Sequence, residues 1–280
     1  MQQRLRTAMA VEQPTSAAGY DNMRGTQRMR TAMAAHMQRV LAPTAPPGTV
    51  DPDHLCISVG CGAIIDNLAF SICGPGDGVL IPAPYYPAFD NDLRVRCQVR
   101  SIPVSGAAAH LLPTPAVLDA ALHAAAAEGC TVRALLLTNP SNPLGVVYPP
   151  ADMAALITWA ISAGLHVIVD EVYASSVFAA DPAVEFVSAI AVESTLPGLM
   201  EDAMAVSVAD QLHVVYGLSK DFCVSGYRVG VLRTRNKGVL QAMDNIGYFC
   251  AVPGRGGVEN KDSTDVESPP SSARLYEHSL

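Results

Sequence analysis

Tyr216-Gly217-Leu218-Ser219-Lys220-Asp221-Phe222-Cys223-Val224-Ser225-Gly226-Tyr227-Arg228-Val229-Gly230 is the stretch on which the reading of this chain turns. Apolar strand formers lead into it from Leu212 to Tyr216 and out of it from Val229 to Leu232. Between them lies a polar turn with a lysine and, eight residues on, an arginine. A lysine at the mouth of an apolar strand is poorly solvated. Desolvation disfavours its charged form, which suits the amine to attack a carbonyl. Arginine stays charged, and its planar fork grips phosphate. A Ser-Lys pair alone is more often an ordinary surface feature, so the weight falls on what surrounds it.

Upstream, strands alternate with helices. A helix is expected from about Gly25 to Leu41, with Met29, Ala32, Met33, Met37, Val40 and Leu41 on one stripe. His54 to Val59 reads as a short apolar strand, followed by Gly60-Cys61-Gly62-Ala63 and a helix to Ile72. A strand, a glycine turn and a helix N-terminus form a natural anion cradle, because free N–H groups and the helix dipole both favour negative charge. Val79 to Pro82 is the next strand, ending at Ala83-Pro84-Tyr85-Tyr86-Pro87, where prolines rigidify two aromatic rings. A strand over Val99 to Val104 and a helix over Pro115 to Glu128 follow. Val132 to Leu137 is wholly apolar, as in a parallel sheet buried on both faces. It runs into Thr138-Asn139-Pro140-Ser141-Asn142-Pro143-Leu144-Gly145, where each asparagine precedes a proline and its amide is free to point outward. After a helix over Ala151 to Ala163, a strand over Leu165 to Val169 ends at Asp170-Glu171-Val172-Tyr173. An acid at the carboxyl end of a buried parallel strand lies where such sheets bind ligands. The pattern is that of an α/β fold, a mostly parallel sheet flanked by helices.

Composition narrows the function classes. The 280 residues are 50% hydrophobic and 16% charged, enough for a sizeable core, and the net charge of -8 gives no reason to expect nucleic acid as a partner. The seven cysteines are scattered, without metal-ligand spacing, and read as reduced thiols. No apolar run reaches the roughly 18 residues of a membrane span. A cytoplasmic protein is expected. Residues 1–18 carry little pattern and read as a poorly ordered segment; 19–250 read as the main domain; 251–280 read as a divergent, disordered tail rich in Glu, Asp, Ser and Pro.

Taken in order, the Gly-Cys-Gly-Ala, Pro-Tyr-Tyr-Pro, doubled Asn-Pro, Asp-Glu-Val-Tyr and Ser-Lys…Arg segments resemble the large domain of class I/II aminotransferases, the aspartate aminotransferase fold type of pyridoxal 5'-phosphate enzymes. Within that group the chain is most similar to the 1-aminocyclopropane-1-carboxylate synthase branch. The resemblance implies that Lys220 forms a Schiff base with the cofactor and later shuttles the Cα proton. It implies that Asp170 keeps the pyridine nitrogen protonated, and that Tyr173 and Asn142 bond the ring hydroxyl oxygen. Tyr86 would stack on the ring; Arg228 and the amides near Cys61 and Gly62 would hold the phosphate. Tyr20 would reach the phosphate of a neighbouring subunit, which implies a homodimer. Asn139, Ser219 and Tyr85 would take supporting roles.

The implied activity is transfer of an amino group from an amino acid to a 2-oxo acid. One alternative is a synthase-like lyase acting on S-adenosylmethionine; another is a truncated, non-catalytic remnant. Two positions depart from the family pattern. Gly217 stands three before the lysine, and Gly62 stands in the phosphate turn, where relatives usually carry hydroxyl residues. The hydroxyl lost at Gly217 would cost about 1.5–3 kcal/mol toward a charged phosphate if nothing replaced it; at Gly62, backbone N–H groups could still serve. The resemblance fades after Cys250, so the small domain that supplies the arginine for the substrate carboxylate is expected to be largely missing.

Overall fold

The computed structural model describes residues 3, 22–106, 112–177, 186–193, 196, 208 and 210–247. All of these but Gln3 belong to one compact unit, Tyr20–Pro253. The expected tail at 251–280, Tyr20, and all but Gln3 of the N-terminal segment lie outside the described residues.

Seven strands form a single sheet: β1 (Leu55–Ser58), β2 (Gly78–Ala83), β3 (Arg100–Ser105), β4 (Val132–Thr138), β5 (His166–Asp170), β6 (Leu212–Gly217) and β7 (Gly230–Thr234). Their order across the sheet is β1-β7-β6-β5-β4-β2-β3. The β2–β3, β2–β4, β4–β5 and β5–β6 pairs are parallel. β7 pairs antiparallel with both β1 and β6, so it alone runs against the rest. Residues 218–229 join β6 to β7 without crossing a face of the sheet, as an antiparallel pair allows.

The helices are α1 (Gln27–Leu41), α2 (Cys61–Ile72), α3 (Phe89–Arg94), α4 (Pro115–Ala127), α5 (Pro150–Ser162), α6 (Ala189–Glu193), α7 (Leu218–Asp221) and α8 (Lys237–Gly247). Thr26 caps α1 by accepting from the Met29 N–H at 3.1 Å. α4 and α5 both open on proline, whose missing N–H costs nothing in a first turn.

Strand residues alternate between two cores, as a pleated backbone requires. Leu135, Leu137, Val167, Val169 and Val214 pack with Met33, Met37 and Leu156, on the side of α1 and α5. Ala134, Leu136, Ile168 and Val215 pack with Ile64, Leu68, Leu93 and Met243, on the side of α2, α3 and α8. With a layer of helices on each face, the parallel strands present only their ends to anything that binds. No helix among the described residues is long and apolar enough to cross a membrane. The six described cysteines are free thiols.

Candidate active site

The carboxyl ends of β4, β5 and β6 bring together three of the segments singled out in the sequence. Asp170 is the last residue of β5, in register with Thr138 on β4 and Val215 on β6. Its side chain is buried, and one oxygen accepts from the Val172 N–H at 3.1 Å. Burial above all pushes this carboxyl up to about 7; the Asp92 charge adds to the shift, while the Val172 bond and the Lys220 charge oppose it. Glu171 points the other way. It is fully buried, accepts from Ser188 Oγ and the Ala189 N–H, both at 2.6 Å, and so anchors the start of α6.

Asn142 follows β4, and its Nδ2 donates to the Tyr173 hydroxyl at 3.2 Å. Tyr173 follows β5, and Lys220 Nζ lies 5.6 Å from its ring centroid. Thus an amide, a phenol and an amine from three adjacent strand ends meet beside the buried carboxyl.

Lys220 departs from expectation in two respects. It sits in a short helix, α7, where a polar turn was expected, and it is exposed where a poorly solvated amine was expected. The physical cause is local. The Leu218 N–H donates to Val229 O at 3.1 Å and the Phe222 N–H to Leu218 O at 3.3 Å, so the chain coils as it leaves β6 and lifts the lysine clear of the sheet. The coil is tied down from beneath. Tyr216, fully buried, donates its hydroxyl to Asp221 Oδ2 at 2.6 Å and meets His36 of α1 at 2.9 Å. Burial is the main reason the His36 imidazole is held below its ordinary value.

The anion cradle forms at the start of α2, one residue pair earlier than the sequence pattern placed that helix. Gly60 caps it with φ of 96°, a left-handed backbone that favours glycine, and no side chain caps the first turn. A Cβ at Gly60 would collide with Arg228 Nη2, so glycine also makes room for the guanidinium. Arg228 donates to Val59 O at 3.4 Å and Ser225 O at 3.3 Å. Among the described residues no carboxylate lies within ion-pair range of it. A helix N-terminus with uncapped N–H groups beside an uncompensated guanidinium fits a phosphate group, and a buried carboxyl at the sheet end fits a ring N–H⁺.

At both glycines where the resemblance leads one to expect a hydroxyl residue, the space beside the backbone is occupied. A Cβ at Gly217 would lie 2.7 Å from Cys61 Sγ, and one at Gly62 would lie 3.1 Å from Asp92 Oδ1. The Cys61 thiol approaches Tyr216 O at 3.5 Å, and burial first of all raises its pKa far above the ordinary value, so it is a packing group and a poor nucleophile.

Other expectations fare unevenly. Tyr86 is 43% exposed and sets its ring edge-on to Phe89 at 5.5 Å. Tyr85 lines the hollow shared by Pro84, Thr138, Ser141, Asn142 and Tyr148. Asn139 does not point outward: it is fully buried and accepts from the Tyr148 N–H at 3.0 Å. Nothing in the sequence pattern assigns Asp92, Tyr216 or Asp221 a place at the site. Asp92 sits three residues after the buried Phe89 on one helical face, a spacing that puts it beside the core.

A family model described as aminotransferase class I and II matches residues 2–256. Among curated proteins, 1-aminocyclopropane-1-carboxylate synthase 4 of Oryza sativa subsp. japonica is 38% identical over 237 residues, covering 83% of this chain and 47% of the relative. A probable inactive 1-aminocyclopropane-1-carboxylate synthase-like protein 2 of Homo sapiens is 36% identical over 220 residues, covering 74% of this chain and 36% of the relative. The chain thus spans about half the length, or less, of these curated relatives. Among solved structures, an aspartate aminotransferase from Rhizobium meliloti superposes with a TM-score of 0.71 at 22% identity, covering 90% of this chain and 57% of that one. At that identity the likeness concerns the fold.

Proposed function

The chain belongs to the class I and II aminotransferase family, and from that premise we propose that it moves the amino group of an amino acid to a 2-oxo acid, with Lys220 as the covalent anchor. The cofactor of this family is pyridoxal 5'-phosphate. When bound, it supplies a protonated ring that withdraws electrons from the amino acid's Cα. The observation that carries the proposal is the meeting of Lys220, Tyr173 and Asn142 beside Asp170 at three adjacent strand ends.

The roles follow from the chemistry of each group. Lys220 Nζ, exposed and lifted off the sheet, is the nucleophile toward an aldehyde carbon and afterwards carries the Cα proton. Asp170 holds a proton on the ring nitrogen. A cationic N–H beside this buried carboxyl would stabilise its charged form and offset the burial that raises it. The Tyr173 hydroxyl, already accepting from Asn142, has its own hydrogen to donate to the ring hydroxyl oxygen. Arg228 and the first N–H groups of α2 grip the phosphate, and Tyr86 covers the ring. Tyr20 would complete the phosphate contacts of a partner subunit in a homodimer.

A second reading is favoured by the curated relatives, which carry the name 1-aminocyclopropane-1-carboxylate synthase at 33–38% identity. In that reading the same Cα deprotonation expels a γ leaving group from S-adenosylmethionine. Incubation with amino donors, followed through cofactor absorbance, tests the first reading; a 2-oxo acid product supports it. Product analysis with S-adenosylmethionine separates the second. A protein that binds cofactor and processes neither substrate would defeat both.

A further inference from the structure

We propose that Asp92 makes the hold of this cup on a phosphate group depend on pH, donating a hydrogen bond to it when protonated and repelling it when ionised. The proposal rests on the cofactor-binding reading above. Its basis is geometric. The two Asp92 oxygens lie 3.1 and 3.4 Å from where a Gly62 Cβ would be, so the carboxyl occupies the space a hydroxyl side chain would fill at the second residue of α2. It therefore lies against the first turn of α2, the turn whose uncapped N–H groups would take the phosphate. Among the described residues neither of its oxygens has a hydrogen-bond partner.

The charged neighbours can be named on every side. Asp66 projects from the next turn of α2, with its carboxylate paired to Arg96 at 2.8 Å. Asp90, on Asp92's own helix, accepts from the Tyr85 hydroxyl at 2.9 Å. Asp170 and the Cys61 thiol both feel the Asp92 charge, and Lys220 and Arg228 face the thiol from the β6–β7 side. Burial, and then Asp66, push the Asp92 carboxyl up to about 6. A phosphate monoester loses its second proton at about the same pH. Below that point a neutral acid meets a singly charged phosphate and can donate to it. Above it, a carboxylate beside the same turn repels a dianion, and attraction to Arg228 and the helix must outweigh that repulsion. A hydroxyl at Gly62 would impose no such dependence.

The test compares dissociation constants for pyridoxal 5'-phosphate and for pyridoxal, which lacks the phosphate, in the full chain and in Asp92→Asn. The ratio of the two constants removes whatever Lys220 and the ring contacts contribute. Comparing the two proteins removes the phosphate's own ionisation. From about pH 5.5 to about pH 8 the wild-type preference for the phosphorylated ligand should fall about tenfold more than that of Asp92→Asn. Equal pH slopes in the two proteins overturn the proposal. Absence of any phosphate preference at every pH overturns the cofactor-binding reading as well, and so marks that failure as a different one. Should Asp92→Asn not fold, Asp92→Ser takes its place. Sulfate, a dianion throughout this range, gives a readout on the wild type alone: it should raise the Tm more at about pH 5.5 than at about pH 8. An equal rise contradicts the proposal.

Discussion

At the amino ends of β5 and β6, His213 is fully buried and uses both ring nitrogens, bonding His166 at 2.9 Å and Thr234 Oγ1 at 2.8 Å. Nearby, the buried Glu193 holds Arg233 at 2.8 Å and also Arg235. At the carboxyl end of the sheet, Lys220, Arg228 and, on α3, Asp92 have no ion-pair partner among the described residues. Both ends leave some buried polar atoms unmatched: Nε of Arg233 and Arg235 at one, Asn139 Nδ2 and Asp221 Oδ1 at the other. What differs is the charge. One end pairs its ions within the fold and is structural. The other leaves cations and acids uncommitted on a rigid frame, the arrangement that a charged ligand completes.

The largest effect expected breaks the uncommitted end alone. Lys220→Ala should abolish the absorption band of covalently bound cofactor and all turnover. It should leave the denaturation midpoint almost unchanged, because the side chain is exposed. A persisting band would remove Lys220 from its role. Next, Glu193→Ala should break the committed end. Two arginines lose their shared counter-ion, one of them buried, at a cost of about 3–5 kcal/mol in denaturant unfolding, with cofactor affinity unaltered in the folded fraction. A cost near zero would mean the network is solvated in solution.

The two ends should also respond to pH with opposite sign. Burial lowers the His213 value well below 6.5, so the unfolded chain binds the proton more readily, and the amino end loses stability as pH falls below that value. Asp170 is raised from 3.8 to about 7, so the folded chain holds the proton more tightly, and the carboxyl end loses stability as pH rises through that interval. In cofactor-free protein, Asp170→Asn should therefore gain stability over wild type progressively from about pH 4 to about pH 7 and then level off. A difference that stays flat with pH would show that Asp170 is not desolvated. In cofactor-loaded protein, the same variant should slow Cα deprotonation while still retaining the ligand. The smallest effect sharpens the boundary between the ends. Tyr216→Phe removes the hydroxyl that ties α7 to the core and should cost about 1–2 kcal/mol. A larger proportional loss in turnover than in stability would show that the tie positions Lys220.

The fold was legible because its parallel strands are apolar on both faces. Runs such as Val132 to Leu137 and Leu212 to Tyr216 leave no other element type that could bury them. The groups that meet at the strand ends were legible too, since Asp170, Tyr173, Asn142 and Lys220 each end or follow such a run, and strand ends are where an α/β sheet is open. Asp92 and Tyr216 were not legible. One looks like a charge on a short surface helix, the other like one more apolar strand residue. Only packing shows that the first faces a helix N-terminus and the second fastens a helix. Nor could periodicity reveal the coil at Leu218–Asp221, because four residues are too few to carry a helical pattern.

The sequence by itself determined the alternation of strand and helix, the two-sided core and the list of groups able to do chemistry, since these depend on local composition and on side-chain period. Tertiary structure alone decided which groups meet. It placed Cys61 against Gly217, Asp92 against Gly62 and Arg228 against Gly60. The reason is distance along the chain: contacts between residues tens to more than a hundred positions apart are set by sheet order and helix docking, which no local pattern encodes.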